Sequence, residues 1–313
     1  MTHKHIVIIM GIQAAGKTSF VKSFVDRGYH RMNRDTEGGN MESLHLRTHE
    51  LIKKGKEKIV LDNTYPTVES RKLINEIART ESIPISCHLM DTSVDDALFN
   101  ASLRMVRKYG KLLSPEEMKA LKKKDPNSFP PGVIFNYRKI FQEPTTAEGF
   151  DYVKKIPFVR QWPAEYKNRA VIFDYDGTLR TSSGNEHYPA NIKEIQIHPG
   201  MAGVINDFKE GGYILLGASN QSGIGKGVVA EDVVVECFKE TNRQLHATLD
   251  FMYCPHTIPP VSCYCRKPGV GMGAYFIEKY KLNPAECIMI GDQTSDETFA
   301  NRCGFKFVNV NSL

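Results

Sequence analysis

The sequence predicts an α/β protein of two domains, each a parallel sheet with helices on both faces. Three observations carry that expectation. Short β-rich runs alternate with stretches of helical period along the whole chain. Two of those runs end in fresh glycine-bearing loops, at Gly11 and at Gly177. The length of 313 residues exceeds the roughly 100–200 of one domain. With 41% hydrophobic and 25% charged residues, the composition excludes a disordered or collagen-like chain.

In the first half, strands are expected at Ile6–Met10, Lys58–Asp62 and Ile85–Met90, with a further one ending at Asn33. Helices are expected near Lys17–Asp26, Met41–Lys54, Pro66–Thr80 and Val94–Arg107. The second half repeats the habit. Its strands fall near Val171–Asp174, Tyr213–Ala218, Phe251–Tyr253, Cys287–Ile290 and Lys306–Asn309. Its helices fit Met201–Lys209, Glu231–His246, Gly271–Tyr280 and Ser295–Cys303. The polar, proline-bearing stretch 161–169 reads as a linker, which puts the domains at 1–160 and 166–313. Ligands of such sheets bind at the C-terminal edge of the strands, where both glycine loops lie.

No apolar run approaches the roughly 18 residues needed to span a bilayer, so no membrane is expected. The short start before Ile6 suggests neither a signal peptide nor a preceding domain. Seven cysteines, three of them clustered with a histidine, point to a reduced compartment and a metal site rather than a disulfide framework. The expected location is cytoplasmic. Residues 1–160 carry 27 Lys/Arg against 19 Asp/Glu, and the rest of the chain carries a net negative charge. A basic half favours a polyanionic partner through counterion release. The runs at Lys53-Lys54 and Lys122–Lys124 read equally as solvated helix faces.

Gly11-Ile-Gln-Ala-Ala-Gly16-Lys17-Thr18 has the spacing of a phosphate-binding loop between a strand and a helix. Glycines at Gly11 and Gly16 let backbone N–H groups face the phosphates of ATP; Lys17 would reach the β- and γ-phosphates and Thr18 would ligate Mg²⁺. At the same edge, Asp35 is either the base that takes a proton from an attacking hydroxyl or a helix N-cap. Asp62 either caps the helix opening at Pro66 or orders metal and acceptor. Arg104 and Arg107, three apart on one helix face, can close over transferring phosphates or stand as surface charges. These segments, together with the stretch Tyr137–Phe150, resemble the polynucleotide 5′-kinase domains over most of residues 5–160. The resemblance implies Asp35 as general base, Lys17 on the donor phosphate and Arg104 in the lid, with Arg107 toward ATP. It puts Arg34, Asp62, Asn63, Thr64 and Arg71 on the substrate side. Gly38 stands where the phage type carries a further arginine.

Phe173-Asp174-Tyr175-Asp176-Gly177-Thr178-Leu179 resembles the opening motif of the haloacid-dehalogenase-like phosphohydrolases. The resemblance implies Asp174 as a nucleophile that forms an aspartyl-phosphate and Asp176 as acid and then base. The remaining parts follow in order. Ser219-Asn220-Gln221 ends a strand and can bind the phosphoryl group, Lys267 can meet developing charge, and Asp292 and Asp296 can hold Mg²⁺ with Asp174 and Asp176. Cys254, His256, Cys263 and Cys265 make a three-thiolate, one-imidazole zinc set. By spacing alone, four unrelated groups fit as well. The arrangement resembles the zinc loop of histidinol- and heptose-phosphate phosphatases, which implies structural Zn²⁺.

A kinase and a phosphatase cohere on one chain if the substrate has two ends. The expected activity is therefore healing of DNA or RNA ends, with 5′-phosphorylation from ATP, 3′-phosphate removal and a functional link to a nucleic-acid ligase. Small-metabolite kinase and phosphatase chemistry, and a non-catalytic nucleic-acid-binding module, are the competing readings.

Overall fold

The computed structural model describes residues 4–184, 188–257 and 263–313. The chain forms two compact units, residues 1–100 with 122–160, and residues 101–121 with 161–313.

The first unit is built from β1 (His5–Met10), α1 (Lys17–Val25), β2 (His30–Met32), α2 (Arg34–Glu37), α3 (Met41–Lys53), β3 (Lys58–Asp62), α4 (Val68–Thr80) and β4 (Ile85–Asp91). α5 (Val94–Tyr109) and α6 (Pro115–Leu121) follow, then α7 (Gly132–Ile140) and β5 (Tyr152–Pro157). The strand order is β2-β3-β1-β4-β5, every neighbouring pair parallel. Buried Ile6, Ile8, Leu61, Ile74 and Cys87 form the centre of its core. α4 starts two residues later than expected because Thr67, not Asp62, caps it in a reciprocal box with Ser70. β5 escaped the sequence reading because Tyr-Val-Lys-Lys-Ile-Pro is an exposed edge strand with no continuous apolar run.

The second unit contains β6 (Ala170–Phe173), the hairpin β7 (Arg180–Ser182) and β8 (Ile195–Ile197), α8 (Met201–Glu210), β9 (Ile214–Asn220) and α9 (Ser222–Gly225). α10 (Glu231–Gln244), β10 (Asp250–Cys254), α11 (Gly271–Tyr280), β11 (Ile288–Gly291), α12 (Thr294–Cys303) and β12 (Lys306–Asn309) complete it. Its sheet runs β10-β9-β6-β11-β12, also parallel throughout. Phe173, Tyr175, Phe238 and Ile290 are fully buried in its core.

The units divide differently from the expected split at 160. Residues 101–121 group with the second unit, where Arg107 on α5 pairs with Glu278 on α11 at 2.8 Å and donates to the Tyr166 hydroxyl at 3.0 Å. Among the described residues, no helix is long and apolar enough to cross a membrane.

Candidate active sites

The glycine loop joins β1 to α1 in the first unit. Gly11 has φ +144° and sits so close to β4 that a Cβ there would meet Met90 at 3.0 Å, which explains the need for glycine. Lys17 opens α1 and folds back over the loop, its Nζ donating to Gly11 O at 2.9 Å and Ile12 O at 2.8 Å. Thr18 lies exposed in the first turn of the same helix. From the far side, Asn100 on α5 donates to Ala14 O at 2.9 Å and Thr92 to Ala15 O at 3.2 Å. Both hold the loop from behind. A glycine-bearing loop at a helix N-terminus with a lysine lying across it has the donor chemistry a nucleotide triphosphate requires.

The neighbouring strand ends are arranged around asparagines. Asn33 is the N-cap of α2, its Oδ1 accepting from Asp35 N at 2.8 Å, so the capping reading of Asp35 is corrected. Asp35 and Arg34 are exposed at this edge. Asn63 accepts from Arg34 N at 3.0 Å, which ties the ends of β2 and β3 together. The Thr64 carbonyl accepts from Gly11 N and from the Tyr137 hydroxyl, each at 3.3 Å.

Two substrate-side expectations are overturned by burial. Asp62 is buried and ion-paired with Arg31, so its carboxylate is used inside the fold. Arg71 is wholly inaccessible. It holds Glu148 through two bonds of 2.7 and 2.8 Å and donates to Tyr65 O and Gln142 O at 3.0 and 3.2 Å. Tyr65 has φ +47°, a strained conformation for an aromatic residue, and the Arg71 bond is what pins that turn. Arg71 therefore builds the edge rather than touching what binds there. Arg104 is half-buried in the second unit, near enough to the Tyr264 hydroxyl to act on it electrostatically. Arg107 is engaged by Glu278 and Tyr166, which corrects its assignment to ATP in this conformation.

In the second unit, β6 delivers Asp174 to the sheet edge, with Ser219 at the end of β9 beside it. Lys267 bridges two carboxylates, with Nζ 2.8 Å from Asp174 Oδ1 and 2.6 Å from Asp296 Oδ1. Burial pushes the Asp174 carboxyl up, against the pull of Lys267. Burial works against the charge of Lys267 as well, yet Asp174 and Asp296 hold its pKa above the usual value. Asn220 spends its side chain on the Lys267 backbone, with Nδ2 donating to Lys267 O and Oδ1 accepting from Lys267 N, both at 2.9 Å. That corrects Asn220 from a phosphate ligand to a brace. Gln221, read from the sequence with Ser219 and Asn220 as a phosphoryl-binding strand end, donates to Asp176 Oδ2 at 2.7 Å and to Ser219 Oγ at 2.9 Å. Asp174, Asp176, Ser219, Gln221 and Lys267 line one open cavity with Tyr188 at its side.

Among the described residues, two groups of side chains suit metals. Carboxylate oxygens of Asp174, Asp292 and Asp296 lie within 4.8 Å of one another, and Asp292 Oδ1 is buried with no hydrogen-bond partner. An orphaned buried carboxylate oxygen is what a divalent cation satisfies. Gly177, at φ +87°, is the residue that lets Asp292 in, since a Cβ there would stand 2.6 Å from its Oδ2. Asp176 is outside this group, its carboxylate being held by Arg180 and Gln221, so its side chain is corrected from the metal set.

Cys254, His256, Cys263 and Cys265 also bring their ligand atoms within 4.8 Å. Sγ of Cys254 and Cys263 are 3.7 Å apart, and His256 Nδ1 is 3.5 and 3.3 Å from Sγ of Cys254 and Cys265. A tetrahedral Zn²⁺ with bonds of about 2.3 Å to sulfur and 2.0–2.1 Å to nitrogen needs edges of about 3.8 and 3.5 Å. The cluster has nearly those edges already. The loop is tied to the cavity by Gln221 N, which donates to Cys254 O at 2.8 Å.

A strand end bearing a buried aspartate, a buried lysine paired with it and a three-carboxylate group on a parallel sheet are features of the haloacid-dehalogenase-like phosphatases. The chain belongs to that family, as a relative more than 30% identical and covered over more than two thirds of its length shows, and the HAD-hydrolase-like family profile matches residues 264–312. It is 34% identical over 138 residues to the D-glycero-beta-D-manno-heptose-1,7-bisphosphate 7-phosphatase of Haemophilus influenzae, covering 41% of this chain and 73% of that one. It is also homologous to the bifunctional polynucleotide phosphatase/kinase of Schizosaccharomyces pombe, 33% identical over 158 residues. That match takes in 50% of this chain and about a third, 34%, of the yeast protein's own length. A chain in the solved Pnkp1/Rnl/Hen1 RNA repair complex aligns over 99% of this chain and 97% of its own, at 16% identity and a TM-score of 0.34, a likeness too weak to argue from. Haloacid-dehalogenase-like phosphatases are Mg²⁺-dependent, in keeping with the three carboxylates.

Proposed function

We propose that the chain heals nucleic-acid ends, its second unit hydrolysing 3′-phosphates and its first transferring the γ-phosphate of ATP to 5′-hydroxyls. The observation that carries the reading is the pairing of two phosphoryl-transfer edges on one chain. One is the lysine-bearing glycine loop in the unit that also exposes Asp35, the other the Asp174–Lys267 site. The yeast relative's name joins the same two activities.

In the phosphatase, Asp174 attacks phosphorus as the bond to the leaving oxygen breaks and Asp176 supplies that oxygen with a proton. Water then attacks the aspartyl-phosphate, yields its proton to Asp176 and restores the Asp174 carboxylate. Lys267 holds Asp174 in line and offsets the charge gathering on phosphorus. Asp174, Asp292 and Asp296 would hold Mg²⁺, which would supply further charge neutralisation. Cys254, His256, Cys263 and Cys265 would hold Zn²⁺ in a structural role, since four protein ligands would leave no open position. In the kinase, Asp35 takes the proton of the 5′-hydroxyl while Lys17 holds the donor phosphates. The partners are DNA or RNA ends and, downstream, a ligase that consumes the healed termini. The expected compartment is the cytoplasm, where the cysteines stay reduced.

End-labelling of matched DNA and RNA oligomers, with 5′-hydroxyl or 3′-phosphate termini, tests both halves. The heptose-bisphosphate phosphatase relatives favour a second reading, a small sugar phosphate as substrate of the second unit. Oligomer ends turned over no faster than a sugar phosphate, without salt dependence, would support it over the first.

A further inference from the structure

The family motif ends at Leu179, yet the next residue reaches back into the site. Gly177 N donates to Arg180 O at 2.9 Å and Arg180 N to Tyr175 O at 3.0 Å, so the turn after β6 closes on itself and sets Arg180 opposite Asp176. The Arg180 Nε donates to Asp176 Oδ1 at 2.9 Å. The rest of the guanidinium is fixed from behind. One terminal nitrogen donates to Thr241 Oγ1 at 2.9 Å, and the guanidinium carbon lies 5.0 Å from the Phe238 ring centre and 5.3 Å from that of Tyr175. Arg180 is 2% exposed, a buried cation whose partner, Asp176, opens onto the cavity. Such a charge is costly to bury unless it is paired, and here the pair is the acid-base carboxylate itself.

We infer that Arg180 is the positioning residue for Asp176 in phosphoryl transfer. It reserves Oδ1 and turns Oδ2 toward the phosphate as the atom that gives and takes the proton. The second half of the clamp agrees, because Gln221 Nε2 bridges Oδ2 to the Ser219 hydroxyl and so fixes Oδ2 beside the phosphate-binding strand end. In the first step the proton leaves Oδ2 for the leaving oxygen as the phosphorus–oxygen bond breaks. In the second, the attacking water returns a proton to Oδ2 as the bond from phosphorus to Asp174 breaks. A carboxylate free to rotate would satisfy neither geometry for most of the time. The inference rests on the phosphatase reading of this unit but not on a nucleic-acid substrate.

Leaving-group dependence separates positioning from structure. p-Nitrophenyl phosphate departs without a proton, whereas an alkyl phosphate needs one, and general acid catalysis is worth about 10²–10⁴-fold. Arg180→Met should lower kcat/KM, which reports the first transfer and not the shared hydrolysis of the aspartyl-phosphate, about 100-fold on glycerol 2-phosphate and less than about 10-fold on p-nitrophenyl phosphate. In an Asp176→Asn background, Arg180→Met should cost nothing further on the alkyl substrate. Equal losses on both substrates, or a further loss in that background, would overturn the inference. If Arg180→Met does not fold, Arg180→Lys keeps the buried cation without the fixed Nε direction. It should show the same alkyl-selective loss, and wild-type ratios in it would equally refute the role. A wild-type enzyme that cleaves both small substrates but no 3′-phosphate oligomer would sink the nucleic-acid reading alone.

Discussion

Replacing Arg71 by methionine tests whether that residue builds the sheet edge of the first unit or binds the substrate of the kinase proposed there. The structure makes the cost calculable in kind. The change strands the Glu148 carboxylate, 8% exposed, and frees the carbonyls of Tyr65 and Gln142 at the strained turn after β3. Breaking a buried ion pair by removing one partner costs about 3–5 kcal/mol. Removing both charges, Arg71→Met with Glu148→Leu, should recover the part due to the stranded charge. The remainder is at least about 2 kcal/mol, because the Tyr65 and Gln142 carbonyls stay unpaired and Glu148 also accepts from Thr145 N at 3.0 Å in a capping box. The coupling between the two substitutions should therefore be at least about 2 kcal/mol. Urea unfolding, with hydrogen exchange at β3 and β4 to identify the unit that opens, measures it. The KM of the double variant for ATP and for a 5′-hydroxyl oligomer should match wild type. A single variant with unchanged stability and a raised acceptor KM would refute the structural role and restore Arg71 to the binding site.

Lys17→Ala and Asp35→Ala should each abolish 5′-phosphorylation and leave 3′-phosphate release intact, while Asp174→Asn does the reverse, since an amide cannot form the aspartyl-phosphate; end-labelling reads both activities on one preparation. Metal analysis should find about one zinc per chain, and Cys263→Ser should release it and depress the phosphatase, Lys267 being two residues beyond Cys265. Full phosphatase activity in zinc-free protein would show that the cluster has no bearing on the site. The buried His45 stacks on Tyr65, and burial lowers its pKa to about 4 from an ordinary 6.5. The unfolded chain thus binds its proton first, so stability is complete above pH 6.5 and falls as pH drops toward 4, by up to about 3 kcal/mol. His45→Gln should flatten that part of the urea-midpoint profile against pH, and parallel profiles would mean that His45 does not contribute.

Local chemistry made the outline of this protein legible without coordinates. Parallel sheets follow from strand and helix periods alternating over tens of residues, and the glycine loop and Asp-x-Asp-Gly-Thr turn are contiguous stretches whose backbone requirements are written in their residues. The Cys254–Cys265 set was visible for the same reason, as all four ligands fall within twelve residues. Burial and long-range pairing were not legible. Nothing local distinguishes Arg71, sealed against Glu148, from an arginine that meets a phosphate, because the sequence shows the charge and not the carboxylate 77 residues away. The same holds for Arg107, engaged by Glu278 at a separation of 171 residues, and for Asp62, paired with Arg31. Arg180 lies next to a recognised motif and went unread, and Gln221 was legible as part of a phosphoryl-binding strand end but not as a partner of Asp176. Their meaning depends on where Asp176 points, and a side chain's direction is settled only when the strands that carry its neighbours are packed together.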